Sequence, residues 1–311
     1  MPFNGTLDIG YLASGGQAVG LTKQHERKEE EKKEATQTAS VQQIDTKEQF
    51  MMTNNKLITA SMNDNGPAVV VDPDNVFEGS QNYNLAKHVP DHAHVTSQYM
   101  SAAYKLNVRL QELLFQALKI EDETQRHVLG SHPFLVLKQM KYFDTKLSDP
   151  SIGRYGAGPH TDWGSFTILA TDATPGLQIY RPKNNSNKKK DNSSSPEWLD
   201  VPPIPNALII NAGDQISILT NGKYQSALHR VLTTTTTKPR YSTAVFCYFG
   251  MDAKFGPLPQ FQQEDTDGCE TGAPTTAAEK DPSKGRTTRE YFHYKLHQSV
   301  YGVSSSPPPI A

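Results

Sequence analysis

The chain has 311 residues, 36% of them hydrophobic and 21% charged, enough to build one large domain with a substantial core or two small ones. Its 31 basic and 33 acidic side chains leave a formal charge of −2, so the overall balance gives no electrostatic case for a nucleic-acid partner. The 2 cysteines make neither a disulfide framework nor a zinc-ribbon spacing, no apolar run reaches the roughly 20 residues of a membrane span, and residues 1–20 lack a basic stretch followed by an apolar one. A soluble, cytoplasmic, monomeric protein acting on a small molecule, without membrane or nucleic acid, is the expectation.

Residues 1–45 form a polar N-terminal segment. Its mixed-charge tract from Lys23 to Glu34 has no apolar face to bury and is expected to be disordered or loosely helical. Residues 46–133 are expected to be a helical region packed on the β-rich remainder of the chain. There Met51, Met52, Leu57, Ile58 and Met62 give patchy helical spacing until Asn63-Asp64-Asn65-Gly66-Pro67 breaks it, and Val69-Val70-Val71 reads as a short strand. Further on, Tyr99, Met100, Ala103, Leu106, Leu110, Leu114 and Leu118 recur at intervals of three and four. They predict one long amphipathic helix from Thr96 to Leu118, capped at Thr96 or Ser97.

From Phe134 the hydrophobic period changes to two. Short strands are predicted at 134–143, 165–170, 177–180, 198–201, 208–211, 215–219, 226–232 and 241–249, with Gly, Pro and Asn between them. This is an α+β chain with a mainly β core: a jelly-roll barrel (double-stranded β-helix, cupin-like) over residues 134–255, flanked by helices. The lysine-containing loop 183–195 lacks the aromatic interleaving of a nucleic-acid surface and reads as a hairpin tip. Residues 256–311 are an irregular arm to about 288 and then a C-terminal helix at 287–300.

The chemistry concentrates at His160-Thr161-Asp162. In an extended strand alternate side chains share a face, so His160 and Asp162 can address one point about 7 Å apart or less. His229 is a third candidate ligand, and two imidazoles with one carboxylate leave coordination positions open, the ligand set of non-haem Fe(II) oxygenases. Arg240 and Ser242 follow at strand spacing; a guanidinium forks onto a carboxylate and a hydroxyl can add a third hydrogen bond, so the pair can grip the far end of a dicarboxylic acid. A strand hydroxyl at Ser242 satisfied by backbone is the plainer alternative.

The stretch from about 134 to 249 resembles the isopenicillin N synthase-like branch of the 2-oxoglutarate- and Fe(II)-dependent dioxygenases. The matching runs are His160-Thr161-Asp162-Trp163-Gly164-Ser165-Phe166-Thr167-Ile168-Leu169, Pro175-Gly176-Leu177-Gln178-Ile179-Tyr180, Ala207-Leu208-Ile209-Ile210-Asn211-Ala212-Gly213-Asp214, the run from Asn221 to Val231, and Arg240-Tyr241-Ser242. The resemblance implies that His160, Asp162 and His229 ligate iron and carry the reaction. It further implies that Arg240, Ser242 and Tyr142 hold 2-oxoglutarate, and that succinate and CO2 are released as a small molecule is hydroxylated, desaturated or cyclised, with ascorbate as a further cofactor. The family's usual N-terminal strand and its Gly-Phe-Phe stretch are not found in residues 1–50, as if that region were shortened or diverged.

Several readings compete with this one. The same fold can use iron without 2-oxoglutarate, a barrel can persist as an inactive binding module, and a zinc hydrolase shares part of the ligand set but lacks a nearby Glu spaced as a general base. His88, His92 and His94 read as a loop because Pro90 interrupts any helix that would align them. His293 and His297 read as a solvated helix face, Asp214 as a turn residue, and Tyr224 and Gln225 as structural. Trp163, Phe249 and the region 99–106 are candidate pocket walls, with the helix 287–300 over the mouth.

Overall fold

The computed structural model describes residues 10–12, 44–53, 89, 91–143, 148–182, 197–233, 237–262 and 285–301. Strand β1 (Gly10–Leu12), strand β2 (Ile44–Asp45) and strand β3 (Lys47–Thr53) come first, then helix α1 (His92–Ala117) and helix α2 (Glu123–Gly130). The barrel strands follow: β4 (Pro133–Tyr142), β5 (Arg154–Tyr155), β6 (Ala157–His160), β7 (Phe166–Thr171), β8 (Leu177–Arg181), β9 (Glu197–Asp200) and β10 (Ile209–Ala212). Helix α3 (Asp214–Leu219), β11 (His229–Val231), β12 (Arg240–Gly250), β13 (Lys254–Phe255), β14 (Arg286–Thr287) and helix α4 (Thr288–Tyr301) complete the chain.

Two sheets make the double-stranded β-helix. The major sheet runs β1-β3-β4-β12-β7-β10 and the minor sheet β6-β11-β8-β9. Strand β12 is the spine: it pairs antiparallel with β4 on one side, Arg240 opposite Tyr142, and with β7 on the other, Ser242 opposite Thr171. Because successive side chains alternate in facing, Val245 and Cys247 point outward onto Met100 and Ala103 of α1, with Leu135, Leu137 and Ile168 in the same cluster. Each fully buried Leu, Ile or Val side chain contributes about 1.5–3 kcal/mol. The alternate set, Arg240, Ser242, Ala244, Phe246 and Tyr248, faces the space between the sheets. A second core under α2 and α4 joins Phe115, Leu129, Phe249, Phe255 and Tyr291.

Several expectations give way. Residues 215–219 belong to α3, not a strand: Ile216 and Ile218 imitate a period of two, but the buried set Gln215, Ile216 and Leu219 has helical spacing, and Asp214 after Gly213 starts the helix. Asp214 is therefore a first-turn helix residue, and its carboxylate accepts a hydrogen bond from the Tyr291 hydroxyl and lies 3.1 Å from Lys295 Nζ. Helix α1 starts at His92, ahead of Thr96, with Asp91 at its N-cap, so His92 and His94 lie in its first turn; proline is excluded from a helix interior but tolerated ahead of it. His92 is held to the Gln139 side-chain oxygen at 2.9 Å.

In the region expected to be helical, Lys47–Thr53 is instead a strand added to the edge of β4, and Met51 lies within it. Strands β5 and β6 escape the alternation pattern because Gly156, Gly158 and Pro159 disguise them. The mixed-charge tract, Val69–Val71 and loop 183–195 lie outside the described residues. No helix among the described residues is long and apolar enough to cross a membrane.

Candidate metal centre

His160 ends β6 and His229 opens β11, and the two are direct partners across that antiparallel pair. Their rings lie 4.3 Å apart, centroid to centroid. Strand pairing stops at His160, so Asp162 reaches the site from the turn beyond it. One Asp162 carboxylate oxygen, Oδ1, is 3.9 Å from His160 Nε2 and 3.8 Å from His229 Nε2, and the three donor atoms lie within 4.8 Å of one another.

The turn is held from two sides. Asp162 and Gly164 accept backbone hydrogen bonds from Asp214 and Gln215 at the start of α3, and Ser165 donates its N–H to the Cys247 carbonyl at 2.7 Å. A β-carbon on Gly164 would sit 2.1 Å from that same carbonyl oxygen, and one on Gly213 would sit 2.3 Å from the Gly164 oxygen. The two motif segments that contain these glycines thus interlock, and only glycine permits the approach.

Each donor is oriented by a second bond. A carbonyl can only accept, so Nδ1–H of His160 donates to Gly158 O at 2.7 Å and Nδ1–H of His229 to Ala227 O at 2.8 Å. Both rings then present an Nε2 lone pair to the common point. Oδ2 of Asp162 accepts from Thr167 Oγ1 at 2.6 Å and Asn211 Nδ2 at 2.8 Å, which leaves Oδ1 for the same point. Burial, reinforced by His229, pushes the His160 pKa down to about 3, so its ring is neutral, as a ligand must be. Burial opposes the Asp162 carboxylate, but His229, His160 and the two hydrogen bonds outweigh it and hold its pKa below the ordinary value.

The cluster opens into a cavity of about 150 Å3 between the sheets. On the β12 wall Arg240 and Ser242 are both buried, and Arg240 Nε and Nη1 and Ser242 Oγ have no hydrogen-bond partner. The guanidinium lies 5.0 Å from the Tyr142 ring centre, while the Tyr142 hydroxyl donates to Met140 Sδ at 3.4 Å. The structure brings His160, Asp162, His229, Arg240, Ser242 and Tyr142 to this one cavity.

Other expected walls differ. Trp163 lines the cavity, as do Phe292 and Leu296 of α4. Phe249 instead packs against Phe115 and Phe255 in the core, and Met100 and Ala103 lie behind the major sheet. Thr167, Asn211 and Lys138 also belong to the site, although the sequence does not single them out. The signal for Asn211 is a polar residue in the apolar run Leu208–Ala212, and for Lys138 a lysine whose alternation places it with Val136 and Met140.

Residues 133–248 match the family described as the 2OG-Fe(II) oxygenase superfamily. Flavonol synthase 1 of Crocosmia x crocosmiiflora is 32% identical over 190 residues, which cover 61% of this chain and 53% of that protein. The 1-aminocyclopropane-1-carboxylate oxidase 1 of Cucumis melo is 38% identical over 113 residues, 36% of this chain and 31% of that protein. The chain spans about half the length of the first of these curated relatives, or less. Among solved structures, a full-length Neurospora crassa protein in complex with alpha-KG and thymine aligns with a TM-score of 0.56 at 18% identity, covering 95% of this chain and 75% of that one. A 2OG-Fe(II) oxygenase family protein of Caulobacter crescentus aligns with a TM-score of 0.55 at 21% identity, covering 93% and 75%. At these identities the likeness establishes the fold.

Proposed function

We propose that the chain, whose residues 133–248 match the 2OG-Fe(II) oxygenase superfamily, is an Fe(II)- and 2-oxoglutarate-dependent dioxygenase oxidising a small molecule. His160, Asp162 and His229 hold the ferrous ion; Arg240 and Ser242 hold the distal carboxylate of 2-oxoglutarate, with the Tyr142 ring beneath the guanidinium. The observation that carries this reading is the pairing of two features in one cavity: a pre-oriented His-Asp-His donor set, and a buried guanidinium and hydroxyl whose Nε, Nη1 and Oγ have no hydrogen-bond partner. A buried donor without an acceptor costs about 1–3 kcal/mol, and a carboxylate is the acceptor that matches a fork and a hydroxyl.

When bound, iron would activate O2, the oxidant, with 2-oxoglutarate supplying two of the four electrons as it is converted to succinate and CO2 and the substrate supplying the other two. The chain's own part is to orient and to exclude water. The Gly158 and Ala227 carbonyls fix both imidazole rings, Thr167 and Asn211 fix the carboxylate, and Leu169, Leu177, Ile209 and Val231 keep the floor of the cavity apolar. The same reading takes the chain as an isopenicillin N synthase-like monomer of the cytosol, supported by the motifs and by the sparse cysteines, of which Cys247 is a buried free thiol.

Anaerobic addition of Fe(II) and 2-oxoglutarate should give a weak visible charge-transfer band, and admission of air should release succinate. Iron-loaded protein that shows neither would leave an inactive binding module as the better account. Turnover indifferent to 2-oxoglutarate would favour an oxidase of the same fold.

A further inference from the structure

The wall formed by β3 and β4 carries two lysines into the cavity, and their surroundings differ. Lys47 Nζ lies 2.9 Å from Asp45 Oδ2 in a buried ion pair, and Asp45 Oδ1 also accepts the Gly158 N–H at 3.0 Å. Lys138 has no such partner: among the described residues no carboxylate lies within ion-pair distance of it, and its ammonium rests 5.4 Å from the centre of the Phe246 ring. Both nearby acids are already committed, Asp45 to Lys47 and Asp162 to Thr167, Asn211 and the histidines. The β3–β4 wall therefore presents to the cavity one ammonium without an ion-pair partner.

Lys138 is partly buried, open to the cavity and not sealed in the core, and holding its charge there has a cost. Burial, with Lys47 adding repulsion and only partly offset by Asp162 and Asp45, brings the Lys138 pKa down to about 8. A lysine retained only to fill the wall between Val136 and Met140 would serve better as an uncharged side chain of similar length. An unpaired cation that persists at such a position marks the place of an absent anion.

That anion is not the ligand of Arg240. Along β12 the cross-strand partner of Arg240 is Tyr142, whereas Lys138 lies opposite Ala244, four residues and roughly 13 Å further along the strand at ordinary strand rise. The next inward position on β12, Phe246, pairs with Thr167, which itself binds Asp162. Lys138 is thus at the level of the metal cluster. Around it Met51, Val136, Phe246, Phe292 and Leu296 give the cavity an apolar lining.

Resting on the dioxygenase reading above, we propose that Lys138 is the substrate anchor: the protein takes a small organic acid with an apolar body, whose carboxylate seats on the Lys138 ammonium. The carbon chain then lies across the His160–Asp162–His229 cluster, and Phe246 and Phe292 pack on its body. The anchor and the Arg240 fork are two separate carboxylate receptors, one for substrate and one for 2-oxoglutarate.

The test uses the full chain with Fe(II) and 2-oxoglutarate, without O2. Binding of trans-cinnamate, 3-phenylpropanoate and decanoate is compared with that of their methyl esters by equilibrium dialysis. At least one acid should bind about tenfold or more tightly than its ester, the scale of a charge-assisted hydrogen bond. Lys138→Met should remove that preference, weakening the acid about tenfold while leaving the ester within about threefold, and Lys138→Arg should restore most of it. Lys138→Met should also melt at or above the wild-type temperature, because it removes an unpaired charge.

Acids that bind no better than their esters across the panel, including the case in which none binds, overturn the proposal. So does unchanged acid affinity in Lys138→Met, or a lower melting temperature, which would make the ammonium structural. The charge-transfer band recorded on the same samples separates the two readings: loss of the band with a Lys138-dependent acid preference intact removes the 2-oxoglutarate assignment and not the anchor.

Discussion

The metal cluster and the β4–β12 wall share one cavity but treat their polar groups in opposite ways. Around the cluster each polar atom that faces protein is matched: both Nδ1–H groups meet carbonyls, and Asp162 Oδ2 meets two donors. Only three atoms remain, and they converge. Along the wall, Arg240 Nε and Nη1 and Ser242 Oγ are buried with nothing to bond. Matched groups orient and hold a geometry in the absence of any ligand; unmatched buried donors cost stability until a ligand arrives. The contrast separates residues that prepare the site from residues that receive something in it.

Substitutions on the two sides should therefore fail differently. The largest effect is expected for His229→Ala, which removes a donor and should lower iron-dependent succinate release by more than about 100-fold, with iron no longer retained on gel filtration. Arg240→Ala should raise the 2-oxoglutarate requirement by about 100-fold, the scale of two charge-assisted bonds, while iron retention changes by less than about twofold. Equal loss of iron and 2-oxoglutarate in that variant would make Arg240 structural and erase the distinction between the sides. Asn211→Leu should weaken iron binding by about tenfold, the usual cost of losing a partner behind a metal ligand, and should leave the 2-oxoglutarate dependence of the remaining activity nearly unchanged.

How much of the molecule is legible in its sequence depends on the range of each interaction. The barrel strands can be read because alternation is local, and β12 shows it in full, with Arg240, Ser242 and Ala244 inward and Val245 and Cys247 outward or in the core. His160, Asp162, His229, Arg240 and Ser242 can be read because their types and spacing suit a metal and a carboxylate, whereas Tyr142 is reached only through the family resemblance. The hidden features depend on distant partners. Helix α3 imitates a strand until its buried face is known, β6 is masked by glycine and proline, and β3 is a strand through its pairing with β4 on one side and β1 on the other. In the sequence Lys138 is one more polar residue in an alternating strand. Its meaning lies in the ion pair that Lys47 makes and Lys138 does not.

The smallest effects probe the contrast most closely, because they separate stability from binding. Thr167→Val removes a bond to a buried carboxylate in the ligand-free protein and should cost about 1–3 kcal/mol, a fall in melting temperature of several degrees. Ser242→Ala removes a hydroxyl that has no partner, so the ligand-free protein should melt at the wild-type temperature or slightly above it. Its deficit should appear only with 2-oxoglutarate present. The wild type should gain about 2.7 kcal/mol at 100 times the dissociation constant, and the variant should need roughly threefold to tenfold more 2-oxoglutarate for the same gain. If Ser242→Ala instead melted as low as Thr167→Val without ligand, its hydroxyl would be a structural bond like that of Thr167, and the wall would have no more claim to receive a ligand than any other part of the barrel.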